Sequence, residues 1–359
     1  MERVPRKLHF IWVGGDMPER NRTCVTSFVE RNPGWEINLW IDRRNLLAGA
    51  RRAAVMPKYR GGDGKATGVW DPTVVPSGDI ETIAAGIGGS AGELRDLRQR
   101  NLASLINFAR GSGIRLRYAN EVSETGVAFL FSQYKREMTD RGTNFGAASD
   151  ILRILILRRE GGVYLDTDVG CRQPLPELRC MRHGALWGLV MPPAVNPPTE
   201  AEWHSVDWWT DTYGDGGLPA ICNSTIACLP GSGALETYRE IVRRNYQNIF
   251  SDAEAVDRYY RMSGIRSSTI QTTGPSAATE AARWDETRRA VAASGSALGQ
   301  DELLKKGDKF KKVFHKRTWR TDRELRRRGE YWGRRWHAMK DEYLFPAYLI
   351  KDNFFHDWL

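Results

Sequence analysis

Two aspartates, Asp166 and Asp168, stand two residues apart directly after the short β-prone run Val163–Leu165. Along an extended chain this spacing places both carboxylates on one side and Thr167 on the other. Two carboxylates in one site repel each other unless a cation, a proton or water offsets the repulsion. Hard oxygen ligands suit Mg²⁺ or Mn²⁺, which commonly keep open positions for substrate phosphates. The pair therefore predicts a divalent-metal site for a phosphorylated ligand, and a solvated turn is the alternative interpretation.

An acid and a base, Asp150 and Arg153, precede this pair on a predicted helix. Apolar residues recur at helical spacing from Ala147 to Leu155, and Gly161-Gly162 is a typical helix stop because glycine adopts positive φ. At positions i and i+3 the two charged side chains leave the same face of the helix. We expect them to face the region where the next strand ends, and an ordinary helix salt bridge is the alternative.

A second pattern lies near the N-terminus, where the hydrophobic run from His9 to Val13 is followed by Gly14-Gly15. This pattern predicts a central strand that ends in a tight turn, and in an open α/β sheet a nucleotide binds at such a strand end. Helix-prone residues 20–32 and an alternating, strand-like pattern over residues 35–42 complete a strand–helix–strand unit. The sequence thus predicts an α/β fold with a parallel sheet.

These stretches together resemble a known family. Ala147-Ala-Ser-Asp-Ile-Leu-Arg153 and Gly161-Gly-Val-Tyr-Leu-Asp-Thr-Asp168 resemble the signature of retaining GT-A glycosyltransferases with a DXD sugar-binding region, which include the clostridial glucosylating toxins and a group of fungal mannosyltransferases. Lys7-Leu-His-Phe-Ile-Trp-Val-Gly-Gly15 resembles the first strand and nucleotide-binding turn of the same family. The resemblance implies a GT-A, Rossmann-like α/β fold: a mixed, mainly parallel sheet flanked by helices, with helical insertions.

The resemblance also implies a metal-dependent hexosyltransferase that uses a nucleotide sugar, with UDP as the expected nucleotide, Mn²⁺ or Mg²⁺ as the cofactor and retention at the sugar. Asp168 would bind the metal, Asp166 would hold ribose or sugar hydroxyls and reach the metal, and Trp12 would stack on the uracil ring. Asp150 and Arg153 would hold hydroxyls of the donor sugar. The same resemblance assigns further donor contacts to Ile11, Val13, Tyr164, Thr167, Asn223, Thr318 and Trp319.

A strand-like alternation from Lys309 to Thr318 ends at Trp319. In the family such a segment closes over the diphosphate. The resemblance therefore gives His315 the third metal-ligand position and makes Trp319 a catalytic residue whose indole N–H meets the leaving oxygen. The spacing departs by one residue from the toxin pattern, and a lone histidine on a basic strand is commonly structural.

Composition limits the partners and the compartment. The formal charge of +9 favours an anionic partner, such as a nucleotide diphosphate, an acidic membrane or nucleic acid. The five cysteines include no Cys-x-x-Cys pair, so neither a disulfide framework nor a zinc site is predicted. The chain shows no signal-peptide core and no apolar run long enough to span a bilayer. We expect a cytoplasmic protein without a transmembrane segment, and export as an effector without a cleaved signal stays open.

The expected organisation is a single GT-A domain over residues 1–359, with an irregular insertion at about 60–92 and a basic helical segment at about 320–359. The run 320–335 could contact an anionic surface. Residues 203–217 interleave aromatic and acidic side chains, which indicates either a sugar-binding loop or a locally packed one. The segment Thr272–Pro275 carries a Thr-Gly-Pro sequence that often lies by the active site in this family.

Two other functions compete with sugar transfer. A haloacid-dehalogenase-type phosphohydrolase also carries Asp-x-Asp after a hydrophobic strand, but that motif needs Thr or Val where this chain has Gly170 and is usually placed near the N-terminus. A nucleic-acid-binding protein could use the basic run 320–335, and its binding would weaken steeply with salt. The sequence favours sugar transfer to a protein or glycan hydroxyl and does not identify the acceptor.

Overall fold

The computed structural model describes residues 1–47, 50, 80–123, 128–139, 144–190, 196–213, 221–251, 265–293, 334 and 337–353. The predictions for His315, Thr318 and Trp319 lie outside these ranges, as does nearly all of the basic run 320–335. In the described part of the chain, no helix is both long enough and apolar enough to cross a membrane.

Strands and helices alternate over much of the described chain. The strands are β1 (Glu2–Arg3), β2 (Lys7–Trp12), β3 (Glu36–Ile41), β4 (Arg115–Tyr118), β5 (Gly162–Leu165), β6 (Val169–Cys171), β7 (Arg179–Cys180), β8 (Ala185–Leu189), β9 (Ile221–Cys228) and β10 (Ile350–Asp352). The helices are α1 (Glu19–Arg31), α2 (Ile80–Ile87), α3 (Ala91–Gly111), α4 (Ala128–Thr139), α5 (Phe145–Glu160), α6 (Glu200–Trp203), α7 (Val206–Tyr213), α8 (Gly233–Phe250), α9 (Ile265–Thr272) and α10 (Pro275–Ala293).

The central sheet of the described residues has the strand order β4-β3-β2-β5-β9-β8. β2 runs parallel to both β3 and β5, and β3 runs parallel to β4. β9 runs antiparallel to both of its neighbours, β5 and β8. The prediction of a mixed, mainly parallel sheet flanked by helices is confirmed. Because β2 and β5 are parallel neighbours, their carboxyl ends lie at the same edge of the sheet.

Helix α5 and strand β5 bring the predicted charged residues to that edge. The Asn144 side chain caps the helix by accepting a hydrogen bond from the Ala147 backbone N–H at 3.3 Å. The helix ends at two glycines with φ of 62° and 90°, Gly161 and Gly162. A Cβ on Gly162 would lie 2.6 Å from the backbone oxygen of Lys7, so only glycine fits beside β2 at this point. The chain can therefore leave α5 and enter the sheet directly.

The end of the described chain returns to the same edge. β10 pairs antiparallel with β6, which places Asp352 opposite Val169 immediately after the double aspartate. Upstream of β10, the Phe345 backbone N–H donates to the Trp187 carbonyl oxygen at 2.8 Å, and Phe345 is buried. The segment before β10 thus packs back on the central sheet.

Several sequence-based expectations need correction. β5 ends at Leu165, so Asp166 and Asp168 lie in a turn rather than on an extended strand, and the Val169 N–H closes this turn on the Asp166 carbonyl oxygen at 3.0 Å. The stretch 80–92, predicted as irregular, contains α2 and the start of α3, because Ser90 and Glu93 form a capping box. Residues 350–352 form a strand inside the segment predicted as helical.

The aromatic segment that begins at Trp203 forms helices rather than a sugar-binding loop over its described part. The side chains of Trp203 and Trp209 are buried, and their rings meet edge to face with centroids 4.9 Å apart. Trp209 Nε1 donates to the Trp203 carbonyl oxygen at 2.9 Å. Core packing therefore accounts for these two tryptophans.

Candidate active site

A cavity of about 690 Å³ opens at the carboxyl ends of β2 and β5. This volume lies in the range of small-molecule sites in proteins. Every predicted donor-site residue in the described part of the chain contributes to its wall. These residues are Ile11, Trp12, Val13, Asp150, Arg153, Tyr164, Asp166, Thr167, Asp168 and Asn223. Residues from four separate parts of the sequence therefore meet in one cavity.

Arg153 is the buried centre of the charged group. Its Nη2 atom lies 2.9 Å from Asp150 Oδ1 and 3.1 Å from Asp166 Oδ1, and Nη1 donates to the Asn223 carbonyl oxygen. Its guanidinium carbon lies 4.3 Å from the centroid of the Tyr164 ring. Burial by itself would lower the pKa of Arg153, but the nearby Asp166 and Asp150 carboxylates outweigh it and the pKa is raised. Arg153 therefore remains a fixed positive charge that orients two carboxylates.

Asp150 accepts hydrogen bonds from two parts of the chain that are distant in sequence. Asn223 Nδ2 of β9 donates to Oδ1 at 2.7 Å, and Thr273 Oγ1, between α9 and α10, donates to Oδ2 at 2.8 Å. Burial raises the pKa of Asp150 to about 6, although the Arg153 charge and the Thr273 hydrogen bond oppose this rise. A carboxylate can accept about four hydrogen bonds, so Oδ2 keeps capacity for a ligand hydroxyl.

Tyr164 fixes the first aspartate of the turn. Its Oη donates to Asp166 Oδ1 at 2.6 Å, and the Asp166 backbone N–H donates to the Ser224 carbonyl oxygen at 2.8 Å. Burial raises the pKa of Tyr164 well above its ordinary value, so the phenol stays protonated and keeps its role as donor. Asp166 is thus held from two sides before any ligand binds, which limits the loss of side-chain freedom on binding.

The carboxylates of Asp166 and Asp168 offer oxygen ligands to a cation. Both residues are half-buried and line the cavity, whereas Thr167 between them is buried. The described residues contain no group of three or more His, Cys, Asp or Glu side chains placed to hold a metal ion. Mg²⁺ and similar ions are commonly held by one or two carboxylates together with substrate phosphates and water. The two aspartates fit this mode of binding.

The turn after β2 forms another part of the cavity wall. Trp12 is half-buried, and its Nε1 donates to the Gly15 carbonyl oxygen at 3.0 Å, which fixes the plane of the indole. Gly14, Gly15 and Asp16 follow it along the wall, and Asn101 of α3 lies beyond them. A flat aromatic surface beside an open turn can accept a nucleobase by stacking.

Asn21, Asp352, Thr273 and Tyr238 are among the residues at the site that were not predicted as site residues. Asn21 of α1 and Asp352 of β10 line the cavity, Thr273 donates to Asp150, and Tyr238 Oη donates to the Thr273 carbonyl oxygen. The Thr-Gly-Pro sequence was a usable signal for Thr273, and its Gly274 also lines the cavity. Asp352 reaches the site only through the pairing of β10 with β6, and no sequence pattern revealed this pairing.

One nucleophile in the cavity wall can be set aside. Burial raises the pKa of the Cys222 thiol to about 12, and its Sγ donates to Ser224 Oγ at 2.9 Å. A thiol with such a pKa carries almost no thiolate at neutral pH, and the thiolate is the reactive form. Cys222 therefore contributes to the shape of the cavity and is not a covalent catalyst.

Comparison with known proteins agrees with this geometry. Residues 6–56 and 90–176 match the family described as the TcdA/TcdB catalytic glycosyltransferase domain, and these ranges contain the Trp12 strand and the double aspartate. The "Subversion of eukaryotic traffic protein A" of Legionella pneumophila is 22% identical over 244 residues, which cover 68% of this chain and 26% of that protein. Toxin B of Clostridioides difficile is 23% identical over 202 residues, which cover 46% of this chain and 8% of the toxin. The chain therefore spans only a small part of the length of these relatives.

Solved structures share the fold. The ligand-free glycosyltransferase domain of the YGT toxin has a TM-score of 0.56 at 18% identity, and the match covers 80% of this chain and 79% of that domain. The UDP-bound form of the same domain also has a TM-score of 0.56, at 16% identity, with 80% and 78% covered. The catalytic domain of alpha-toxin from Clostridium novyi has a TM-score of 0.54 at 15% identity, with 78% and 72% covered.

The family match and the sequence relatives thus support a glycosyltransferase enzyme, and the solved structures show the fold. They confirm the resemblance inferred from the sequence motifs, and they do not favour the phosphohydrolase or nucleic-acid-binding alternatives. This chain therefore has a GT-A fold, and over residues 6–56 and 90–176 it is similar to the glycosyltransferase domains of the clostridial toxins.

Proposed function

We propose that this chain transfers a sugar from a UDP-sugar to a hydroxyl group of a protein or glycan, with retention at the sugar and with Mn²⁺ or Mg²⁺ as the cofactor. One observation carries the proposal: the indole of Trp12, the Asp166–Asp168 turn and the buried Asp150–Arg153 pair line the same cavity. These are the separate groups needed for a nucleobase, a diphosphate with its cation, and a sugar. UDP is chosen because the YGT toxin domain, which has the same fold, was solved with UDP.

The order of the strands suggests how a donor would lie. Trp12 ends β2, Asp166 and Asp168 follow the neighbouring β5, and Asn223 lies on β9 on the far side of β5. A UDP-sugar that runs from β2 to β9 would place its base, diphosphate and sugar beside these groups in that order. The sugar would then reach Asp150 Oδ2, which retains acceptor capacity, and the guanidinium of Arg153.

The aspartates of the turn would hold the cation, with Asp168 in direct contact and Asp166 in contact directly or through water. When bound, Mn²⁺ or Mg²⁺ would supply positive charge that stabilises the UDP leaving group. Tyr164 donates a hydrogen bond to Asp166 Oδ1, and Arg153 forms an ion pair with the same oxygen. These two contacts hold the Asp166 carboxylate in one orientation. Such orientation before binding is what makes electrostatic stabilisation effective in an enzyme site.

Retention without a covalent intermediate on the enzyme is the expected stereochemistry. Asp150 and Asp166 are both paired with Arg153, which makes each of them a weak nucleophile. This pairing supports a route in which the acceptor hydroxyl itself attacks the sugar. It also agrees with the family resemblance, from which the expectation of retention comes.

The relatives suggest the setting of this reaction. One is named as a toxin, and another is named for subversion of eukaryotic traffic. We therefore propose that the acceptor is a component of a eukaryotic target cell and that the protein is exported as an effector.

Hydrolysis of nucleotide sugars tests the donor and the enzyme class together. The purified chain is incubated with Mn²⁺ and each of a set of UDP- and GDP-sugars, and release of the nucleotide diphosphate is followed over time. We expect slow hydrolysis of one or two UDP-sugars that stops when EDTA removes the cation. Release of inorganic phosphate from phosphate monoesters, with no cleavage of any nucleotide sugar, would overturn the proposal in favour of a phosphohydrolase.

A further inference from the structure

Asn21 occupies an unusual position in the wall of the cavity. It lies in the first turn of α1, where its backbone N–H donates to the Pro18 carbonyl oxygen at 3.0 Å. Only 2% of the residue is exposed, yet it lines the cavity, and its side chain contacts Thr167 of the Asp166–Asp168 turn. A buried amide in this position must satisfy both its donor and its acceptor from a small number of neighbours.

The Asn21 amide is only half satisfied in the described part of the chain. Its Nδ2 donates to Thr167 Oγ1 at 3.3 Å, whereas its Oδ1 is buried and has no hydrogen-bond partner there. Turning the amide over does not remove the problem, since Thr167 could then donate to Oδ1 but Nδ2 would lose its acceptor. Unpaired buried polar atoms are costly and rare, so the free atom indicates a ligand or water that completes the pair.

The chemistry of a nucleotide sugar limits what could fill this position. Diphosphate oxygens only accept hydrogen bonds, so they cannot pair with an amide oxygen. The donors of the ligand are the N–H of the base, the hydroxyls of the ribose and the hydroxyls of the sugar. The ribose joins the base to the diphosphate. Asn21 follows the turn proposed for the base along the chain and is hydrogen-bonded to Thr167 of the turn proposed for the diphosphate.

We propose that Asn21 Oδ1 accepts a hydrogen bond from a ribose hydroxyl of the nucleotide, while Nδ2 holds Thr167 and with it the Asp166–Asp168 turn. This inference rests on the proposed function, because it requires a nucleotide in the cavity. Asn21 is then a ligand-binding residue that also positions the turn. It makes the site selective for a ribonucleotide over its deoxy analogue.

The test compares UDP, 2′-deoxy-UDP and 3′-deoxy-UDP by calorimetry in Mn²⁺, with the wild-type chain and the Asn21→Ala variant. For the wild type we expect one deoxy analogue to bind about 5- to 50-fold more weakly than UDP, the factor for losing a hydrogen bond to a buried acceptor. In Asn21→Ala the affinity for UDP falls, and the difference between UDP and that analogue shrinks to about twofold or less. Where Asn21→Ala does not fold, Asn21→Leu takes its place because leucine keeps the volume without polar atoms.

Thr167→Val is the matched control, because it breaks the same Asn21–Thr167 hydrogen bond but leaves the amide oxygen in place. It is expected to weaken all three ligands by a similar factor and to keep the discrimination between them. A loss of affinity in Asn21→Ala that is equal for all three ligands would overturn the inference. A wild type that binds UDP and both deoxy analogues equally well would overturn it too. A wild type that binds none of the three would overturn the proposed function as well.

Discussion

The hydrogen bond from Thr273 to Asp150 makes the pH dependence of activity a direct probe of the proposed donor-sugar site. Thr273 is fully buried, and its Oγ1 lies 2.8 Å from Asp150 Oδ2. Thr273→Val removes the hydroxyl but keeps the shape of the side chain. Arg153 and Asp166, the charged groups nearest to Asp150, stay in place. The change therefore acts mainly on the stability of the ionised Asp150 carboxylate.

The size of the effect follows from the strength of such bonds. A hydrogen bond to a charged group contributes about 1.5–3 kcal/mol, which corresponds to a pKa change of about 1–2 units. The pKa of Asp150 is about 6 in the intact protein, and the bond from Thr273 lowers it. Without that bond we expect a pKa of about 7–8, so at pH 7 the ionised fraction falls from about 0.9 to between about 0.5 and 0.1.

The assay is the pH profile of kcat/KM for UDP-sugar hydrolysis, which reports groups of the free enzyme. The wild type should show an acidic limb near pH 6, and Thr273→Val should move this limb upward by about 1–2 units while activity recovers at pH 9. Thr273→Ser restores the hydroxyl and should return the limb toward its original position. If the limb stays at the same pH in Thr273→Val, or activity is lost equally at all pH values, the role assigned to the ionised Asp150 is refuted.

Three further predictions concern other parts of the molecule. Burial lowers the pKa of His9 from 6.5 to about 4, so its contribution to stability is complete above pH 6.5 and is lost as the pH falls toward 4. The wild type therefore loses stability between pH 7 and pH 5, and His9→Gln should make this loss smaller by about 2 kcal/mol, as measured by urea unfolding at each pH. If the unfolding free energy of His9→Gln changes with pH as that of the wild type does, this prediction is contradicted. Gly162→Ala should destabilise the fold by about 1–3 kcal/mol in chemical denaturation. Gly111→Ala at the end of α3 is the control and should be nearly neutral, because a Cβ there meets nothing within 4 Å. Equal losses of stability in the two variants would contradict the close approach of Gly162 to β2. Trp12→Ala should weaken UDP binding by about 1–3 kcal/mol, the cost of losing one stacked base, and Trp12→Phe should weaken it by less. If Trp12→Ala binds UDP with the affinity of the wild type, the base does not stack on this indole.

The sequence was sufficient to predict the parts of the fold that depend on local patterns. The run from His9 to Val13 and the glycines at 161 and 162 mark where strands and helices begin or end, and the structure follows these signals. Residue types at fixed spacing also identified the aspartates of the turn together with Asp150 and Arg153. These signals are local because helix caps, glycine stops and strand alternation depend on neighbours in the chain.

The remaining features depend on contacts between residues far apart in sequence. Thr273 meets Asp150 across 123 positions, and Asn21 meets Thr167 across 146, so no local pattern predicted either hydrogen bond. The tryptophans 203 and 209 were predicted equally well as sugar-binding or as packed side chains, because aromatic residues serve both purposes. Burial decided between the two alternatives, and burial depends on the whole fold.

The central claim is that Asp166 and Asp168 hold a divalent cation that helps to bind the diphosphate of a UDP-sugar. The most direct measurement is calorimetric titration of UDP into the wild type and into the Asp166→Asn/Asp168→Asn double variant, each with Mn²⁺ and with EDTA. We predict that Mn²⁺ strengthens UDP binding by the wild type. In the double variant we predict that Mn²⁺ has no effect on UDP binding, and the melting temperature of that variant shows that it is folded. The claim is contradicted if Mn²⁺ strengthens UDP binding by the double variant as it does for the wild type. It is also contradicted if the wild type does not bind UDP at all.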